Sequence, residues 1–351
     1  MNLCSTPLQM DKKSKSEQLF LDQLKNLQDQ GLIPVKYYHI ILQFYECVKE
    51  AIFEANRPLE AIIPTFLLYL QLLQEQFKHP YSFEPYHKKI RHPIDYYQFS
   101  LDFIRPLLDF PNSSILGLET LNTIEQQIAQ GDNVIFLANH QSETDPQAIA
   151  ILLQKTHPRL AESIIYVAGA RVITDPIAVP FSMGCDLLCV YSKRYIDHPP
   201  ELKLEKQLHN KNTMTLMSRL LQEGGKAIYV APSGGRDRRG EKGTIEVAPF
   251  DPQSIEMFYL MAKKAKTPTH FYPLTLSTYE LLPPPKTIQK ELGEMRSAKY
   301  SPIHLIFSPE FNMEQFSGSD EKDKTKRRAN RAQAIWSIVK HQYFLIRNSH
   351  D

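Results

Sequence analysis

His140 and Asp145 have the residue types and the spacing of a base with an orienting carboxylate. They stand in Asn139-His140-Gln141-Ser142-Glu143-Thr144-Asp145-Pro146, where the apolar run Val134–Ala138 ends. An imidazole titrates near neutral pH and can take a proton from a hydroxyl. A carboxylate on its other nitrogen fixes the tautomer and stabilises the imidazolium. On spacing alone an H-x4-D pattern is weak, because it recurs by chance. Asp145 before Pro146 also fits a helix N-cap with proline at the first helical position. The two roles are compatible, since a capped helix start holds its carboxylate in a fixed place.

A second segment, Ala231-Pro232-Ser233-Gly234-Gly235-Arg236-Asp237-Arg238-Arg239, follows another apolar run. The glycines allow positive φ and close backbone approach. Arg236 and Arg238 alternate, so extended backbone points both guanidiniums one way, as a phosphate dianion requires. The Lys-Ser/Thr ending of a nucleotide P-loop is missing. Lys193-Arg194 forms a third basic pair, just past the apolar stretch Leu187–Tyr191. Each basic segment taken alone reads as solvated surface. A base and two cationic clusters, all at the ends of strand-like runs, suggest an enzyme that activates a hydroxyl on a phosphorylated substrate. A rival reading makes Ser233 the nucleophile of a hydrolase, with His140 and Asp145 completing a triad. Against it, the elbow's usual first glycine is absent and the chain order is wrong for an α/β-hydrolase.

These segments need a scaffold that puts strand ends side by side. Apolar strand-like runs occur at Val134–Ala138, Ile164–Val167, Leu187–Tyr191, Ala227–Val230, Tyr272–Leu276 and Ile303–Phe307. Helical patterns separate several of them, at Pro146–Gln154, Asn212–Gln222 and Ser254–Ala265. The alternation predicts an α/β fold with a mixed sheet flanked by helices, whose chemistry sits at strand ends. Before it, Ser16 to Lys78 reads as a small antiparallel helical bundle, its third helix opening at Pro58. Asp95 to Phe110 reads as a further helix, and a helical tail runs through Trp336 and Tyr343. The histidine- and proline-bearing stretch from Lys78 to Pro93 is the expected boundary. This gives residues 1–78 as an N-terminal bundle and 79–351 as the catalytic domain.

Composition narrows the function further. A formal net charge of +2 across 351 residues gives no reason to expect nucleic-acid binding. The four cysteines lack zinc spacing and a paired framework, which fits a reducing compartment. Cys185 and Cys189 read as buried thiols on one strand face. No secretory signal is visible at the N-terminus. The most hydrophobic stretch, Ala61 to Leu73, is too short to span a bilayer. The expectation is therefore a soluble cytoplasmic protein, with peripheral membrane contact for any lipid substrate.

Asn139-His140-x4-Asp145-Pro146 resembles the first block of the glycerolipid acyltransferases. Ala231-Pro232-Ser233-Gly234-Gly235-Arg236-Asp237-Arg238 is similar to the third block of their soluble, plastid-type glycerol-3-phosphate acyltransferases, where most of the family carries Phe-Pro-Glu-Gly. Cys189-Val190-Tyr191-Ser192-Lys193, and Tyr272-Pro273-Leu274 with Pro283-Pro284-Pro285, also look like that subgroup. The likeness covers roughly Pro80 to Pro309. It implies acyl transfer from a thioester of acyl carrier protein or coenzyme A to the sn-1 hydroxyl of glycerol 3-phosphate. The product would be lysophosphatidate, at the first step of phospholipid biosynthesis. His140 would be the base and Asp145 its orienting group. Arg194, Arg236, Arg238 and Lys193 would bind the phosphate, with Arg194 in place of a plant lysine. The plant enzymes carry a histidine where this chain has Tyr195, which can donate one hydrogen bond. A plastid stroma becomes the alternative location. A thioester is already activated, so no cofactor or metal is required. The lysines 203, 206 and 211, with Lys193 and Arg194, could attract an acidic carrier protein. The remaining alternative is a non-catalytic scaffold that binds lipid or protein through the bundle.

Overall fold

The computed structural model describes residues 14–192, 196–241, 243–285 and 291–348. Three helices open the described chain, at Lys15–Asp29, Val35–Glu54 and Ile63–Lys78. Ser14 caps the first through a bond from the Glu17 amide. The expected start of the third at Pro58 is not found. Leu59–Ala61 forms a single 3-10 turn, and Pro64 takes the first turn of the α-helix proper. The helix expected from Asp95 is Tyr96–Ile104, capped by Asp95 and tightened to a 3-10 turn where Pro106 enters.

Ten strands are found among the described residues. They are β1 Tyr86–His87, β2 Ser114–Leu116, β3 Asn133–Ala138, β4 Ile164–Gly169, β5 Asp186–Val190, β6 Ala227–Val230, β7 Arg238–Arg239, β8 Ile245–Glu246, β9 Thr269–Ser277 and β10 His304–Phe307. All six expected runs are strands of one eight-stranded sheet in the order β1-β5-β4-β6-β3-β9-β10-β2. From β5 to β9 the neighbours are parallel; β10 runs antiparallel to β9, and β1 to β5. The sheet is therefore mixed, as expected. The two-residue β1 and three-residue β2 are edge strands, too short to carry a readable alternation. Strands β7 and β8 pair in a separate ribbon.

The central strands are buried on both faces, which is why they read as unbroken apolar runs. In β3, Val134, Phe136 and Ala138 face one core with Tyr166 and Tyr229. Ile135 and Leu137 face another with Ile165 and Ile228. Helices Leu118–Ala129 and Asp145–Leu153 cover the first face. Helices Lys203–Glu223, Pro252–Ala265 and Lys324–Asn348 cover the second. A third core joins the N-terminal helices to Phe99, Phe103, Ala148, Ile151, Ile177 and Leu282. Phe66 at its centre lies 4.9 Å from the Phe103 ring and 5.2 Å from Tyr45. Cys185 precedes β5 and Cys189 lies within it; both thiols are free, buried and in the same core. Burial pushes each up to about 12, so they behave as small apolar groups.

Candidate active site

Strands β3 and β6 are adjacent and parallel, with Leu137 opposite Val230. The His140 and Arg236 segments therefore leave the sheet at the same end, side by side. The connection after β3 leads to β4, beyond β6, and the one after β6 leads to β9, beyond β3; the carboxyl ends of strands are where open α/β sheets bind ligands. Strand β5 ends on the same side, two strands away. Lys193, Arg194 and Tyr195, which follow it, lie outside the described residues.

The backbone after β3 alternates. Asn139 and Gln141 turn into the protein body and are fully buried, while His140 between them is part-exposed. His140 Nδ1 lies 2.8 Å from Asp145 Oδ2. No described residue is seen to engage Nε2, so that nitrogen is available to a substrate. The Asp145 carboxylate is buried and takes four partners. Oδ2 accepts from His140 and the Gln141 amide at 2.9 Å; Oδ1 accepts from the Ser142 amide at 3.1 Å and the Thr278 hydroxyl at 2.6 Å. The expected N-cap role is not borne out. The cap position is Thr144, and Asp145 is the first helical residue with its carboxylate folded back over the preceding loop. Loop amides and the imidazole take the oxygens that a cap would have offered to the helix.

Asp237 ties the two segments together. Its amide donates to the His140 carbonyl. Its carboxylate accepts from Asn139 Nδ2 at 2.9 Å, Gln141 Nε2 at 3.1 Å and the Ala248 amide at 2.9 Å. Burial pushes this carboxyl up to about 6, against hydrogen bonds that favour the charged form. The other ends of the two amides clamp the strand end of β9. Asn139 Oδ1 accepts the Leu276 amide, and Gln141 Oε1 accepts the amides of Thr278 and Tyr279. Sequence reading assigned no role to Asn139, Gln141, Asp237 or Thr278. The polar pair flanking His140 at a strand end was the available signal.

With Asp237 turned inward, Arg236 and Arg238 share the opposite face, as the alternation requires. Gly234 makes the turn before them at φ +66. Arg236 bonds Glu294 at 2.6 Å and approaches Glu143 at 3.5 Å. Arg171 meets the other Glu294 oxygen at 2.6 Å, and Arg296 binds Glu143 at 2.9 Å and Asp175 at 3.1 Å. Burial raises the Glu143 carboxyl, but Arg296 and Arg236 outweigh it and leave the group below its usual range. Arg238 donates to the Pro285 carbonyl, and no carboxylate pairs with it among the described residues. Burial and the neighbouring Arg236 hold its guanidinium below the usual range. Four guanidiniums against three carboxylates leave this corner with an excess of positive charge. Glu143, Arg171, Asp175, Glu294 and Arg296 carried no sequence signal, since the ion pairs span 123 and 153 positions.

Beside His140 opens a cavity of about 130 Å³. Glu143 and Arg296 contribute charged groups to its lining and Phe44, Ile104, Val172 and Phe181 apolar ones. Ser233 is turned away from this arrangement, its hydroxyl donating to the Gly235 carbonyl at 2.9 Å. No helix among the described residues is long and apolar enough to cross a membrane.

Residues 120–277 match the family model described as Acyltransferase. The chain is 36% identical over 339 residues to the chloroplastic glycerol-3-phosphate acyltransferase of Arabidopsis thaliana, covering 96% of this chain and 74% of the relative. Against that of Spinacia oleracea it is 35% identical over 336 residues, covering 95% and 71%. Against that of Carthamus tinctorius it is 34% identical over 343 residues, covering 96% and 73%.

Proposed function

The chain belongs to the glycerol-3-phosphate acyltransferase family, and from that premise we propose how its site acylates glycerol 3-phosphate. The carrying observation is the His140–Asp145 pair in the lining of a largely apolar cavity, beside a corner with surplus guanidinium charge. His140 Nε2 takes the proton of the sn-1 hydroxyl as its oxygen attacks the thioester carbonyl. Collapse of the tetrahedral adduct breaks the C–S bond, and the imidazolium returns the proton to the departing thiolate. Asp145 holds the ring and stabilises its charged form. Arg238 and Arg236, with Lys193 and Arg194, bind the phosphate. That anchor lies away from the reacting hydroxyl and supplies binding energy for positioning. The acyl chain occupies the apolar cavity. The product is 1-acylglycerol 3-phosphate.

Acyl carrier protein is the favoured donor and coenzyme A the alternative. The relatives' names place them in chloroplasts, which gives the cytoplasmic expectation no support and favours the plastid stroma. A serine hydrolase has less support, because the Ser233 hydroxyl bonds its own turn rather than His140. The test is thiol release from palmitoyl thioesters of both carriers, with and without glycerol 3-phosphate. Release that depends on glycerol 3-phosphate is expected. Release that ignores it, or labelling of Ser233 by a serine-reactive phosphonate, would overturn the reading.

A further inference from the structure

Behind the acyl cavity lies a second, smaller cavity, and Pro146, Gln147, Tyr166 and Cys185 line both. These four residues form a partition between the two spaces. Its middle is the contact between Gln147 Nε2 and Cys185 Sγ, at 3.7 Å. Gln147 is 3% exposed, and its Oε1 has no hydrogen-bond partner among the described residues. A buried acceptor without a donor is unusual and calls for an explanation. Tyr166 is tied to the Pro146 carbonyl through its hydroxyl at 3.4 Å, and Gln147 and Cys185 are the parts of the wall that side-chain size can alter.

Resting on the proposed acyl transfer, we infer that the Gln147–Cys185 partition stops the acyl chain and sets the longest chain the enzyme uses well. The side chains fill the path towards the second cavity, and a hydrocarbon chain passing them would meet a polar amide rather than an apolar lining. The Cys185 thiol is held protonated by burial, so it meets the thioester substrate as an inert apolar surface.

Thinning the wall joins the two spaces. Removing the Gln147 amide makes room for about two further CH2 groups, and burying two is worth roughly tenfold in kcat/KM. The experiment measures kcat/KM for the wild type, Gln147→Ala and Cys185→Met, using acyl carrier protein thioesters of 12 to 20 carbons, with the coenzyme A thioesters in parallel, and saturating glycerol 3-phosphate. The wild type is expected to fall off beyond one chain length. Gln147→Ala is expected to move that limit up by about two carbons, raising the ratio of the longer to the limiting chain about tenfold. Cys185→Met thickens the wall and is expected to move the limit down; it carries the test alone if Gln147→Ala does not fold. An unmoved limit in an active, folded variant overturns the partition while leaving the acyltransferase reading intact. A wild type that transfers no acyl group to glycerol 3-phosphate overturns both.

Discussion

Two polar clusters flank His140, and they are built on different principles. On one side, Asp145 and Asp237 are buried carboxylates satisfied by amides, a hydroxyl and the imidazole. Every partner is a hydrogen-bond donor in a fixed place, and the positions are set by the ends of β3 and β9. On the other side, Arg171, Arg236 and Arg296 are held by Glu143, Asp175 and Glu294, charge against charge. The first cluster fixes the position of the His140 ring. The second stores cations whose charges are nearly balanced, with Arg238 in surplus. A buried cation without partners would be costly, so the carboxylates keep the arginines charged and oriented. Under the proposed mechanism, rigid aim belongs to the base and pre-positioned charge to the anchor.

Breaking the first cluster has the larger effect. Asp145→Asn replaces an acceptor of four bonds with a group carrying its own donors. We expect kcat to fall about 10²- to 10⁴-fold with KM for glycerol 3-phosphate little changed; a loss seen only in KM would merge the two clusters into one. Asp237 gives a thermodynamic test of the same cluster. Its carboxyl is raised from 3.8 to about 6 in the folded protein. The native state therefore holds a proton that the unfolded chain has released between those values. Stability contributed by the group is present below about pH 4 and lost as pH rises to about 6, by about 3 kcal/mol. Urea unfolding of the wild type and Asp237→Asn from pH 4 to 7 is expected to show the variant gaining on the wild type by about 2 kcal/mol, the part of that change this range spans. A constant difference across the range would remove burial as the dominant influence on Asp237. The smallest effect is expected in the second cluster. Glu294→Gln weakens the hold on Arg236 and Arg171, and KM for glycerol 3-phosphate is expected to rise about tenfold with kcat retained. A fall in kcat alone would place Glu294 with the base.

The same contrast explains what could be read from the sequence. Six central strands were legible because burial on both faces makes each a short apolar run. Strands β1 and β2 were not, since two or three residues show no period. His140, Asp145, Arg236 and Arg238 were legible because each pair lies within a few residues at a strand end. The role of Asp145 as a cap was misread: Pro146 marks the helix start but says nothing of where the carboxylate turns. Asp237 was hidden by its position between two arginines. Glu294 and Arg296 were hidden by distance, because only the folded chain brings them to Arg171, Arg236, Glu143 and Asp175.

The central claim is that His140 performs the proton transfer while the arginine corner holds the phosphate. It is tested most directly by measuring kcat and KM for glycerol 3-phosphate in His140→Ala and Arg238→Ala side by side. The account predicts that His140→Ala loses about 10²- to 10⁴-fold in kcat with KM nearly unchanged, and that Arg238→Ala raises KM about 10- to 100-fold with kcat retained. Undiminished kcat in His140→Ala, or an unchanged KM in Arg238→Ala, would contradict it.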